Sequence, residues 1–78
     1  MDNEKLKLVI SRRLKSALFD AGMTCAELSQ LSEVSEKTVY NVIHMRSMPN
    51  ASTIVMLADT VGCSADWLLG RTDYKGGI

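Results

Sequence analysis

Glu36, Lys37, Tyr40, Asn41 and His44 recur at the spacing of one helical face and carry a carboxylate, an ammonium, a phenol, an amide and an imidazole. At about 100° per residue they occupy an arc from 0° to about 140°, while Val39, Val42 and Ile43 fall between about 240° and 340°. A face of this kind recognises a polar partner by reversible hydrogen bonds. It runs into HMRSMPN, residues 44–50, a loop whose His44, Arg46, Ser47 and Asn50 are donors suited to phosphate. An ordinary solvated helix face has a similar pattern. Here a Tyr stands among the charges, and the helix follows a tight joint, which describes a helix held out for contact.

Covalent chemistry has little to work with. The chain has one His, and its two cysteines, Cys25 and Cys63, are far apart. They supply neither a metal-ligand cluster nor a nucleophile–base pair, so no catalytic residue, metal or cofactor is expected, and the chain does not read as an enzyme. Both cysteines read as free, buried or half-buried thiols.

Seventy-eight residues make one domain. A chain of this size buries only about 60% of its unfolded surface, which leaves room for a single core. With 46% hydrophobic residues and few aromatics, that core is built from Leu, Ile, Val and Met. Nine Lys plus Arg balance nine Asp plus Glu, so no net charge draws the chain to polyanions, and recognition of one must rest on local geometry. The opening MDNEKLKLVISRRLKS has no long uncharged apolar run. Neither a signal peptide nor a membrane span is expected, and a cytoplasmic location follows.

The elements that must position the polar face are legible as helices. Leu6, Ile10, Leu14, Ala17 and Leu18 form an apolar stripe that Gly22 ends. Thr24 and Glu27 form a capping box for a second helix, flanked by Met23 and Leu28 at staple spacing. Ser35 caps a third, with Val34 and Val39 as its staple, so Ser32, Glu33 and Val34 are left as a three-residue joint. Pro49 and Asn50 precede a fourth helix carrying Ile54, Leu57, Ala58 and Val61 up to Gly62. Ser64 caps a fifth from Ala65 to Leu69, closed by Gly70. Residues 1–70 read as one domain and residues 71–78 as a short flexible tail.

From Gly22 to Gly70, the segments GMTCAELSQLSEVSEKTVYNV, LADTVGCS and DWLLG resemble the Cro and phage-repressor type helix-turn-helix family of bacterial and phage transcription regulators. The resemblance implies an all-α, compact five-helix bundle of the lambda-repressor-like kind, whose second motif helix enters the major groove of double-stranded DNA. It implies base-reading positions at Glu36, Lys37, Tyr40 and Asn41. Lys37 suits guanine, Asn41 adenine or phosphate, Glu36 cytosine, and Tyr40 a thymine methyl or phosphate. It implies phosphate contacts at Thr24, Cys25, His44, Arg46, Ser47 and Asn50. Three positions depart from the family pattern: Cys25 replaces a Gln, Glu33 a turn Gly, and His44-Met45 an Asn-Gly. A further pair, Leu18 and Ile43, stands where relatives place a buried Arg–Glu ion pair.

The function expected is a small sequence-specific regulator, a repressor in family terms, acting as a homodimer on a palindromic operator without a small-molecule ligand. Trp67, Leu68, Leu69, Tyr74 and Ile78 carry more apolar surface than a short terminal helix needs, and mark an expected dimer interface. The alternative is a protein-interaction module, antitoxin-like, that keeps the fold without the DNA grip. The neutral charge together with Glu33 and Glu36 favours that alternative.

Overall fold

In a computed structural model, which describes residues 2–76, every helix starts at a side-chain oxygen that accepts the amide three residues on. Asp2 does this for α1 (Asn3–Ala21), Thr24 for α2 (Cys25–Ser32) and Ser35 for α3 (Glu36–Ile43). Asn50 and Ser64 do it for α4 (Ala51–Val61) and α5 (Ala65–Leu68). Each cap supplies one orphan donor of a first turn with a partner, a contribution of about 1 kcal/mol. At Thr24 the full capping box forms, Glu27 accepting the Thr24 amide in return. The fifth helix is one residue shorter than expected, because Leu69 is its C-cap.

The helix ends obey a second rule. α1 and α5 close with glycines in the left-handed region, Gly22 and Gly70, and the amide of the next residue reaches five residues back, Met23 to Leu18 and Arg71 to Asp66. Gly70 has an added constraint, since a Cβ there would lie 2.7 Å from Val9 Cγ1 on α1. α3 closes in the same way with no glycine: Arg46 N–H reaches Asn41 O at 2.8 Å and Met45 N–H reaches Val42 O at 3.2 Å. Met45 therefore holds a φ of 60°, and Glu33, ending α2, a φ of 61°. These are two of the positions where the family pattern has Gly, and the left-handed backbone is kept without it.

The apolar stripes meet in one core. α1 packs on α3, α4 and α5, and α2 packs on α3 and α4. Ile10, Leu14, Leu28, Val39, Leu57 and Leu68 are fully enclosed. Burying each such side chain contributes about 1.5–3 kcal/mol. Leu18 and Ile43 both lie in this core, on the elements expected to bring them together.

Three expectations need correction. Leu68 is 0% exposed, so it fills the core of its own chain and is not a dimer-interface residue. Cys25 is exposed, because the first position of α2 points away from the bundle, while Cys63 is buried, and both thiols are free. Residues 71–76 are anchored where a loose tail was expected. Arg13 on α1 donates to the carbonyls of Trp67 and Thr72 and to the Asp73 carboxylate, Lys75 pairs with Asp20 at 3.0 Å, and Ser64 N–H donates to Lys75 O. Ile78 lies outside the described residues. Among the described residues no helix is long and apolar enough to cross a membrane.

Candidate nucleic-acid interface

The joint between α2 and α3 is stitched by its own hydroxyls. Ser32 Oγ donates to Leu28 O and accepts the Val34 amide, while Ser29 Oγ donates to Val34 O at 2.7 Å. With Val34 and Val39 buried beneath it, the joint fixes the angle at which α3 leaves α2. The far end of α3 is fixed from α1. Ser11, itself buried, donates its hydroxyl to the Ile43 carbonyl.

The carbonyls that end α3 are thus all accounted for. Tyr40 O takes the His44 amide, Asn41 O the Arg46 amide, Val42 O the Met45 amide and Ile43 O the Ser11 hydroxyl. A helix pinned at both ends presents its polar face as a rigid surface. That face is the one expected: Glu36, Lys37, Tyr40 and His44 are exposed and Asn41 is half-buried, against buried Val39, Val42 and Ile43.

Within this surface Tyr40, His44 and Arg46 form a cluster. The Tyr40 and His44 rings lie 4.1 Å apart between centroids, and the Arg46 guanidinium carbon is 5.5 Å from the Tyr40 centroid. Lys37 and Glu36 stand one turn earlier, near the amino end of the helix, where the dipole favours the Glu carboxylate. Ser35 is occupied by its cap, accepting the Thr38 amide and donating to the Thr38 hydroxyl at 2.8 Å.

The expected phosphate contacts divide in two. Arg46, Ser47 and His44 are exposed beside α3. Asn50 is exposed, but its carbonyl oxygen caps α4, so only its NH₂ is free to donate. At the start of α2 the Thr24 and Glu27 amides serve the capping box, which leaves the first-turn amides of Cys25 and Ala26 facing outward. The Glu27 carboxylate at that same end opposes an anion.

An apolar groove of about 340 Å³ lies elsewhere, lined by Leu6, Ile10, Met48, Pro49, Ile54, Leu69 and their neighbours, with none of the polar α3 residues. Of the expected dimer residues, Tyr74 is 78% exposed and Leu69 lines this groove. The Trp67 ring carries Arg13 at 5.0 Å and Lys75 at 5.3 Å.

Ser11 and Arg13 were not foreseen as positioning residues. Ser11 offered a signal, since it shares the α1 stripe with Leu14 and Leu18, and a hydroxyl in an apolar stripe needs a buried acceptor. Arg13 offered none, as its partners are carbonyls whose location only the folded chain sets.

A family model described as Cro/C1-type HTH DNA-binding domain matches residues 13–73. No curated protein and no solved structure gives a significant match.

Proposed function

The chain belongs to the Cro/C1-type helix-turn-helix DNA-binding domain family, and from that membership we propose that it is a sequence-specific transcriptional repressor that reads the major groove with α3. The observation that carries this reading is the pinned α3, whose polar face bears exposed Lys37 and Tyr40 and half-buried Asn41 and ends at the cation of Arg46, which pairs with no carboxylate among the described residues. Lys37 and Asn41 carry the donor groups that purine edges accept, and Arg46, His44, Ser47 and the Asn50 amide suit backbone phosphates. With zero net charge, attraction to DNA depends on these few groups. One chain covers one half-site, so a homodimer on a palindrome completes the reading, with Leu69 and Tyr74 as its accessible contacts.

A second reading has specific support. Glu27 sits in the first turn of α2 and Glu36 in the first turn of α3, and both place negative charge at helix ends that would otherwise favour an anion. Those carboxylates suit a basic protein partner, as for an antitoxin-like module.

Selection of bound sites from random duplex DNA, followed by titration at two salt concentrations, separates the two. The first reading requires an enriched motif of two half-sites about 10 bp apart and an affinity that falls with salt. Absence of enrichment at low salt rejects it.

A further inference from the structure

Two arginines of this chain lie over aromatic rings, and what happens to their N–H groups differs. Arg13 lies 5.0 Å from the Trp67 centroid and spends its donors inside the molecule, on the carbonyls of Trp67 and Thr72 and on Asp73. Arg46 lies at 5.5 Å over Tyr40, and among the described residues no carboxylate is paired with it. A guanidinium over a ring keeps the N–H groups along its edge free, so Arg46 is held in place with its fork open to a ligand.

The backbone supports this arrangement. The left-handed turn at Met45 sends the Arg46 amide back to Asn41 O and returns the Arg46 side chain to the ring of Tyr40. His44, one helical turn beyond Tyr40, leans on the same ring at 4.1 Å with a tilt of 39°. Tyr40 is 49% exposed, and both neighbours lie within 6 Å of its ring centroid.

We infer that Tyr40 is a positioning residue for a phosphate clamp and not a reader of bases: its ring holds the Arg46 guanidinium, with the His44 imidazole against the same ring, for the phosphates of the DNA backbone. This rests on the DNA-binding reading and deepens it. The sequence pattern grouped Tyr40 with Lys37 and Asn41 because they share a face, whereas the contacts group it with the loop that follows.

The test is a binding cycle with Tyr40→Ala, Tyr40→Phe, Arg46→Ala and Tyr40→Ala/Arg46→Ala, measured on the selected duplex and on random duplex at two salt concentrations. Tyr40→Leu is included as a variant that keeps apolar packing on the helix and has no aromatic face. Tyr40→Phe should bind like wild type. Tyr40→Ala and Tyr40→Leu should each weaken both duplexes by the same factor, about two- to fivefold for a partly exposed cation–ring contact. The double variant should lose less than the two single losses combined, because the part of the Tyr40 effect that acts through Arg46 is already gone.

Three results would overturn the role of Tyr40 while leaving DNA binding intact. They are a change of base preference at one operator position in Tyr40→Ala, a loss in Tyr40→Phe equal to that in Tyr40→Ala, and an undiminished Tyr40 effect in the Arg46→Ala background. A wild-type chain that binds neither duplex at low salt overturns the DNA reading and this role with it.

Discussion

Ser11 on α1 donates its hydroxyl to the carbonyl oxygen of Ile43, the last residue of α3. A buried hydroxyl and a helix-terminal carbonyl satisfy each other across the packing of the two helices, and α3 is tied to the longest element of the bundle. Replacing Ser11 with Ala leaves the Ile43 carbonyl without this donor. The expected cost is about 1–3 kcal/mol of stability, measured by chemical denaturation, with faster amide exchange in the last turn of α3. Wild-type stability in Ser11→Ala would show that water replaces the hydroxyl freely.

Met45 and Glu33 hold left-handed conformations that favour glycine. Met45→Gly and Glu33→Gly should each stabilise the domain by up to about 1 kcal/mol, the relief of backbone strain being partly offset by the greater freedom of glycine in the unfolded chain. Met45→Val should destabilise it, since a β-branched residue is a marked outlier there. Thermal unfolding gives both signs, and a loss of stability in both glycine variants would contradict the strain assignment.

Leu18 and Ile43 are both buried in the core between α1 and α3. Leu18→Arg or Ile43→Glu alone strands a charge in low dielectric and should cost about 3–5 kcal/mol. The double variant should recover much of that through a favourable coupling energy. If the double variant is no more stable than the singles, these two positions do not form a pair.

Arg13 ties the segment after α5 to α1 through two carbonyls and one carboxylate. Arg13→Met should lower stability by about 1.5–3 kcal/mol, the range for hydrogen bonds to a charged group, even though the apolar stem is kept. Truncation after Gly70 should lower the melting temperature as well, whereas Asp73→Asn should change it little, because that carboxylate is fully exposed.

Lys37→Ala and Asn41→Ala should relax preference at particular operator positions by about 1–3 kcal/mol each. Arg46→Ala should weaken all duplexes alike and reduce the salt slope by about one. Competition titrations with single-base operator variants distinguish the two classes. An equal loss on operator and random DNA for Lys37→Ala would move that residue to the phosphate group.

The sequence by itself determined the helices and the face that α3 shows. Thr24, Ser35, Asn50 and Ser64 lie at their caps because a short oxygen-bearing side chain three residues before a free amide is a local device, complete within one turn of chain. The burial of Val39, Val42 and Ile43 followed from periodicity, since only one side of a helix can meet a single core. What only the tertiary structure decided are the contacts between groups distant in sequence or joined by an unusual backbone turn. Leu68 was indistinguishable by type from Leu69, yet one is enclosed and the other lines a groove, because the packing of α5 on α1 and α4 buries only Leu68 of its residues completely. Residues 71–76 read as loose from their composition, and are anchored because Arg13, far away in the chain, offers donors that only folding brings there. Tyr40 belongs with Arg46 for the same reason: a left-handed Met45 turns the chain back on its own helix, and nothing in the residue types announced that turn.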